Sequence, residues 1–181
     1  MPGKAVSMNL TFKGFVRGYC RELTGLPTDN LRKLSRAVMT GKPLAAEAVM
    51  VFAAIQGKAD YLYSLTAGSW LGEGYASVLD NLRDPEAVEP FLQSEAAPER
   101  YRKVWSAYVA RRDAIEVDRQ LIALMRRKTL EVMKNQDMTI YCLCQQLSLN
   151  KGNTYAYLNK GDATKVSRET AWRIMNFVEA A

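Results

Sequence analysis

Side chains suited to hydrogen bonding with nucleobases are concentrated in the segment KGNTYAYLN, residues 151–159. An asparagine amide donates one hydrogen bond and accepts another, which matches the pair of groups that adenine presents in the major groove. If the segment is a helix, the residues on its outer side are mostly small or hydrogen-bonding: Lys151, Gly152, Asn153, Tyr155, Ala156 and Asn159. The same spacing turns Thr154, Tyr157 and Leu158 inward. The pattern therefore predicts a helix whose chemistry is recognition of base edges.

A second short helix and a tight turn precede this segment. Thr139 is suited to cap a helix, and Leu143 and Leu147 lie four residues apart on one face of it. The break at 148–150 is too short for a loop and too poor in helix formers to continue the helix. Its last residue, an asparagine, can cap the next helix, and Leu149 is expected to pack between the two helices. The sequence thus predicts two short helices joined by a three-residue turn.

This outline resembles the Cro/repressor class of helix-turn-helix domains, also called lambda-repressor-like. The positions that carry the resemblance are Leu143, Cys144, Leu147, Ser148, Leu149 and the recognition stretch 151–159. Downstream, the Lys160-Gly161-Asp162 loop and the helix that opens at Ser167 match the rest of such a domain. The resemblance covers about residues 119–181, and it implies a DNA-binding domain whose second helix enters the major groove.

Three positions depart from the family pattern. Ser148 stands where family members usually have glycine, which predicts a non-glycine residue at positive φ and a small cost in stability. Ile140 replaces a glutamine that touches a phosphate, and Thr154 replaces an aliphatic residue of the recognition helix. The resemblance is therefore more specific for the fold than for the individual contacts with DNA. DNA binding is one interpretation of this helix-turn-helix outline, and contact with another protein is the other.

The resemblance implies a site for double-stranded DNA. The residues expected to face bases or the adjoining backbone are Lys151, Gly152, Asn153, Tyr155 and Asn159. Those expected to bind phosphates are Lys160, Lys165 and Arg168, helped by the N-terminus of the helix that opens at Ser167. Gly152 either lets the backbone approach DNA closely or is simply tolerated near a helix start. The basic cluster at 126–128 is either a phosphate contact or plain surface.

Charge is unevenly distributed along the 181 residues, whose net charge is +6. Residues 1–67 carry nine Lys/Arg and four Asp/Glu, residues 68–118 carry six and ten, and residues 119–181 carry ten and five. Basic segments favour polyanions, because contacts with phosphates release bound counterions. The two basic ends therefore support a nucleic-acid partner, although a charge of this size alone does not identify one.

The composition also bounds the compartment. No stretch approaches the ~20 apolar residues of a membrane span. The N-terminal segment MPGKAVSMNLTFKGF lacks the pattern of a secretion signal. The three cysteines, Cys20, Cys142 and Cys144, are odd in number and form no CxxC pair, and we expect Cys142 and Cys144 to be small apolar fillers in a reducing compartment. These features predict a cytoplasmic protein without membrane association.

Catalytic chemistry has almost no support in the sequence. There is no histidine, which removes the commonest general base and the commonest metal ligand. The glycine-rich segment GSWLGEG lacks the spacing and the lysine of a phosphate-binding loop. We expect neither an enzyme nor a bound metal or cofactor.

Apolar periodicity predicts an all-α chain. In residues 1–67, helices are expected from Phe12, from Asp29 or Asn30, from about Leu44 to Gln56, and over 59–66, where Tyr61 is counted among the inward residues. Their short connections imply packed neighbours, so this module is predicted to be an N-terminal helical bundle.

Residues 68–118 are predicted to be an acidic helical connector. Three glycines around Trp70 indicate a flexible joint with Trp70 as its aromatic anchor, followed by one helix over 75–82. Past Pro98 the pattern is either one helix to about Gln136 or two helices with a break within 113–118. The third segment, 119–181, ends in a helix. We expect Trp172 of that helix to be a core residue.

Apolar residues recur near heptad spacing along this long pattern: Tyr101, Val104, Trp105, Tyr108, Ile115, Ile122, Met125 and Met133. They are either a dimer seam or the face of a scaffold helix that packs the bundle against the C-terminal domain, with Trp105 and Tyr108 as core. We expect a homodimer, because a single small helix-turn-helix reads few base pairs and two would straddle half-sites about one DNA turn apart.

The sequence therefore predicts a sequence-specific DNA-binding regulator of bacterial or phage type, acting as a transcriptional repressor. The alternative is a protein-interaction inhibitor, such as an antitoxin or anti-defence protein. In that scheme residues 1–67 neutralise a protein partner, while the helix-turn-helix regulates its own operon.

Overall fold

The structure is a computed structural model that describes residues 10–181, and this range is helical almost throughout. The range contains eleven α-helices, three short 3-10 turns and no β-strand. The predicted all-α class is confirmed. The predictions that concern the first nine residues, including the greater part of the segment examined for a secretion signal, lie outside the described range.

Seven helices precede a long one, and three follow it. The first seven are α1 (Phe12–Thr24), α2 (Leu31–Gly41), α3 (Ala46–Ile55), α4 (Ala59–Thr66), α5 (Trp70–Ala76), α6 (Leu79–Leu82) and α7 (Val88–Gln93). The remainder are α8 (Glu99–Asn135), α9 (Ile140–Leu147), α10 (Lys151–Lys160) and α11 (Arg168–Ala180). The 3-10 turns span Pro43–Ala45, Pro85–Ala87 and Ala163–Lys165.

Side-chain caps account for where several helices begin. The side chains of Thr11 and Asn30 accept hydrogen bonds from backbone N–H groups in the first turns of α1 and α2. Asp84 does the same for the 3-10 turn at Pro85–Ala87. Gly25 ends α1 in the left-handed conformation, with φ of 69°. These boundaries are therefore set by local chemistry.

Contacts divide the described chain into two compact units, residues 10–111 and residues 112–181. The first unit is built around α3, which is apolar at every position except Glu47 and buries eight of its ten residues. The helices around α3 contribute apolar residues to one continuous core that runs from Phe12 to Val104. Next to this core the rings of Phe12 and Trp105 lie 5.1 Å apart, and those of Phe12 and Tyr108 lie 5.3 Å apart.

The contacts draw the domain boundary differently from the predicted division into 1–67, 68–118 and 119–181. Leu71, Tyr75 and Leu82 belong to the same core as α1 to α4, so residues 68–111 are part of the first unit. The division at 67 and 118 followed a change in charge. Charge describes the surface of a chain, whereas its buried apolar residues decide what it packs against.

Residues 68–82 differ from the predicted flexible joint and single helix. They form α5 and α6, separated at 77–78, and Trp70 is 51% exposed, so it is not an aromatic anchor. Gly72 packs against the end of α4, where a Cβ atom would lie 2.4 Å from the backbone oxygen of Thr66. This glycine serves close helix packing.

The second unit packs the C-terminal part of α8 with α9, α10 and α11. Its core is formed by residues from all four helices: Ile122, Met125, Met133, Leu143, Tyr157, Leu158, Ala171, Ile174, Met175 and Val178, with Val166 from the segment before α11. Three predictions of burial are wrong. Trp172 is 54% exposed, Tyr61 in the first unit is 48% exposed, and Cys142 is exposed, although Cys20 and Cys144 are buried. Each lies on the outer side of a helix whose opposite face contributes to the core.

The long helix α8 is continuous, so the pattern past Pro98 is one helix and not two. The chain leaves the helix at Asp137, whose φ is 51°, with the N–H of Met138 donating to the oxygen of Met133 at 3.1 Å. Seven of the eight predicted seam residues, all except Ile115, face their own units. Tyr101 and Val104 are buried in the first core, and Ile122, Met125 and Met133 are buried in the second. This set of residues is therefore not a free dimer seam.

No helix within residues 10–181 is long and apolar enough to cross a membrane.

Candidate nucleic-acid interface

Local hydrogen bonds define the turn between α9 and α10. The hydroxyl of Thr139 accepts from the N–H of Cys142 at 3.2 Å and caps α9. The helix ends at Ser148, whose φ of 52° places it in the left-handed region where glycine is usual. The side chain of Asn150 then accepts from the N–H of Asn153 at 2.9 Å and caps α10. The three-residue turn predicted at 148–150 is confirmed, including the positive φ of its serine.

The inner face of α10 is fastened to the core of the second unit. Thr154, Tyr157 and Leu158 are buried, as predicted. The hydroxyl of Tyr157 donates to the backbone oxygen of Ile122 on α8 at 2.9 Å, and burial raises the pKa of that hydroxyl. Leu149, in the turn, is half-buried against the same core. These contacts fix which side of α10 is left outside.

Two arginines hold the C-terminal ends of the two short helices. Nε of Arg126 donates to the backbone oxygens of Tyr157 and Leu158 at 2.9 Å each, so its guanidinium satisfies carbonyls at the end of α10. Arg173 of α11 donates to the oxygen of Leu147 at 2.8 Å, at the end of α9. A cation at a helix C-terminus also interacts favourably with the helix dipole. Within the basic cluster at 126–128, Arg126 therefore serves to position α10.

The outer face of α10, defined as Lys151, Gly152, Asn153, Tyr155 and Asn159, is exposed along its whole length. The helical periodicity predicted this exposure. Residues 138–161 contain two lysines and no acidic residue, so no carboxylate within this stretch opposes the approach of a phosphate. The surface can therefore present amides, a phenol and ammonium groups to an anionic partner.

The three predicted phosphate contacts have different environments. Lys160 at the end of α10 and Lys165 in the following 3-10 turn are exposed. Nη1 of Arg168 lies 2.8 Å from Oδ1 of Asp118 on α8, so this guanidinium already has a carboxylate partner. That carboxylate already neutralises part of the charge that a phosphate would otherwise meet. Arg168 is better explained as a link between α11 and α8 than as a DNA contact.

One acidic residue lies beside the two exposed lysines. Asp162 accepts hydrogen bonds from the hydroxyl of Thr164 at 2.5 Å and from its N–H at 3.0 Å. These bonds, with a smaller effect of Lys165 and Lys160, lower the pKa of the carboxyl. Asp162 therefore stays ionised and shapes the turn that carries Lys165.

An aromatic and cationic cluster on α9 and α10 was not identified from the sequence. The ammonium of Lys151 lies 4.2 Å from the centroid of the Tyr141 ring, a cation–π contact. Nε2 of Gln145 donates to the Tyr141 hydroxyl at 3.0 Å, and Tyr141 is 57% exposed. Helical periodicity could have indicated this cluster, because Tyr141 and Gln145 lie opposite the buried Leu143. The cluster borders the outer face of α10 and extends its polar surface.

Gly152 was given two interpretations: it lets the backbone approach DNA closely, or it is simply tolerated near a helix start. The space around it bears on both. A Cβ atom there would lie 3.4 Å from Oδ1 of Asn150, which is an ordinary contact, and the residue is exposed in the first turn of α10. The fold itself therefore does not require glycine at this position.

Comparison of the chain with protein-family models, with curated proteins and with solved structures found no match. The function must accordingly be inferred from the site.

Proposed function

We propose that this protein is a sequence-specific DNA-binding regulator that inserts α10 into the major groove of double-stranded DNA. The observation that carries the proposal is the asymmetry of α10. Its inner face is buried through Thr154, Tyr157 and Leu158, while its outer face is exposed, polar and free of acidic residues. The resemblance of residues 119–181 to Cro/repressor helix-turn-helix domains supports the same assignment.

The dimensions and the side chains of the outer face suit the major groove. That groove is about 12 Å wide and admits one α-helix. Asn153 and Asn159 would read base edges, since a carboxamide forms a paired hydrogen bond with adenine. Tyr155 and Gly152 would lie against the bases or the adjoining backbone. This set of residues would supply the discrimination between sequences.

Lysines around this face would supply affinity that does not depend on sequence. Lys151, Lys160 and Lys165 are exposed within or just after α10. Neutralising phosphates releases counterions from DNA, which makes such contacts favourable and sensitive to salt. Tyr141 borders Lys151 and would meet the same phosphate backbone. We leave Arg168 out of the proposed interface because Asp118 already binds it.

Repression is the regulatory outcome we propose. A protein seated in the major groove of a promoter excludes polymerase from that DNA by occupancy alone. Repression then needs no contact between this protein and the polymerase. The protein would act in the compartment that holds the DNA.

Selection of binding sites from random duplexes by the full chain, at two salt concentrations, tests the proposal. We expect enrichment of a defined sequence, with affinity for selected DNA at least ~10³-fold above that for random DNA. Raising the salt should weaken binding to both pools, because the lysine contacts are shared. Absence of an enriched sequence at both salt concentrations would contradict DNA reading and favour use of this surface for protein contact.

A further inference from the structure

A row of apolar side chains lies exposed on the part of α8 that belongs to the second unit. None of the residues that the structure describes buries this row. Val117 is 54% exposed, Leu121 is 37% exposed and Leu124 is 41% exposed. Ala114 lies three residues before Val117, on the same side of the helix, and is exposed as well. We name Ala114, Val117, Leu121 and Leu124 the open stripe of α8.

The open stripe is separate from the face of α8 that packs in its own unit. The buried residues in this part of the helix are Ile122, Met125, Thr129 and Met133. At 100° per residue, the centre of this buried set lies about 100° around the helix from the open stripe. The core of the second unit therefore leaves the stripe uncovered within residues 112–181.

The spacing of the open stripe is that of a coiled-coil seam. Its members are three, four and three residues apart, which keeps them on one side when two helices supercoil at 3.5 residues per turn. Lys128 follows at the next seam position and ends the apolar run. A partner helix with the same spacing would cover the stripe by knobs-into-holes packing.

We propose that the partner is a second copy of this chain, and that the two open stripes pack in antiparallel orientation about an axis level with Arg119. In this register Val117 faces Leu121 of the second copy, and Ala114 faces Leu124. Each layer then pairs a smaller side chain with a larger one, which suits close packing. The same two layers are repeated on the other side of the axis.

Charge complementarity favours the antiparallel arrangement over the parallel one. Antiparallel packing places Asp113, which already lies 3.3 Å from Arg112 of its own chain, beside Arg127 of the second copy, and symmetry repeats this pair at the other end of the stripe. Parallel packing would instead place Asp113 beside Asp118 of the second copy, so the open stripe would gain no pair of opposite charges. In the antiparallel form the two copies of Asp118 approach each other, but each already has its own Arg168 at 2.8 Å.

This inference does not depend on DNA binding. It uses only residues 113–128 and Arg168, whereas the proposed DNA interface uses the outer face of α10 and the lysines beside it. An experiment that contradicts the dimer would not contradict DNA binding, and the reverse is also true. Together they would give a DNA-binding protein with two copies of α10.

The first experiment measures self-association of the full chain by equilibrium sedimentation. We expect a dimer at tens of micromolar, and we expect the double change Val117→Asp with Leu121→Asp to raise the dimer Kd by ~100-fold or more, since each change acts twice in the dimer. The matched control is Leu44→Asp with Tyr61→Asp, because these residues are 88% and 48% exposed in the first unit. Circular dichroism verifies that both variants keep their helical content.

The second experiment tests orientation by disulfide cross-linking in a Cys142→Ser background, which removes the exposed native thiol. Mixing a Val117→Cys chain with a Leu121→Cys chain should yield the mixed cross-linked dimer, because these positions face each other across the antiparallel seam. Parallel packing would instead link each variant to its own copies. Arg119→Cys, on an exposed side away from the stripe, is the control and should not cross-link.

Two results would overturn the proposal. One is a wild-type chain that remains a monomer at tens of micromolar, which would leave the open stripe to a different partner. The other is a double aspartate variant that dimerises as tightly as the wild type. Self-linked products in place of the mixed product would overturn the antiparallel register.

Discussion

At the scale of single residues, Asn153 is the clearest candidate for a base-reading side chain. It is exposed on the outer face of α10, and its backbone N–H donates to the side chain of Asn150, which caps the helix. Its carboxamide is therefore not needed for the cap. Removing the side chain should alter recognition without altering the helix start.

We expect Asn153→Ala to cost ~1–3 kcal/mol in binding to the selected DNA and to relax the base preference at one position. Asn176→Ala is the matched control, since Asn176 is exposed on α11, outside the proposed interface. Titration of both variants against selected and random duplexes checks the prediction. Unchanged preference in the Asn153 variant would remove this residue from the set of base readers.

At the scale of secondary-structure elements, the placement of α10 depends on contacts at both of its ends. Asn150 caps its start, and Arg126 binds the backbone oxygens of Tyr157 and Leu158 at its end. Arg119 is exposed on the same helix as Arg126, on the side away from the open stripe. The two arginines therefore make a matched pair for mutation.

We expect Arg126→Met to destabilise the end of α10 by about 1–2 kcal/mol. This is the free energy that a charge-assisted hydrogen bond contributes, lowered because the guanidinium is partly exposed to solvent. Methionine keeps an apolar stem, so the change mainly removes the guanidinium. Hydrogen exchange of the α10 amides in the full chain measures the effect. Arg119→Met should leave this exchange unchanged, and equal exchange in both variants would show that Arg126 does not hold the helix.

At the scale of the whole molecule, the distribution of lysines should govern how DNA binding responds to salt. Lys165 is exposed in the turn after α10, close in sequence to the proposed groove-binding face. Lys58 is also exposed, but it belongs to the first unit and is remote in sequence from that face. The two residues separate a local phosphate contact from the effect of net charge.

We expect Lys165→Ala to weaken binding to all DNA sequences and to reduce the slope of log affinity against log salt by ~1. Lys58→Ala lowers the net charge equally and should change that slope little. Binding isotherms at a series of salt concentrations compare the two variants. Matching slopes for both would assign the effect to net charge and count against a phosphate contact at Lys165.

Much of the local structure was predictable. The caps at Thr139 and Asn150, the turn between them and the buried and exposed sides of α10 follow from residue type and helical spacing. Such features depend on atoms within a few residues of one another, so the chain alone carries the information. The prediction that Trp172 is buried was wrong, because burial depends on which side of a helix meets the core. Apolar character alone does not indicate that side.

The sequence by itself determined the all-α class, most helix boundaries and the exposed polar face of α10, since these arise from short-range hydrogen bonds and a period of 3.6 residues. Only the tertiary structure decided that Arg126 and Arg168 already have partners, that residues 68–111 share the first core, and which side of α8 stays open. Those outcomes depend on elements distant in sequence that meet in space. Spacing along one helix cannot specify such meetings.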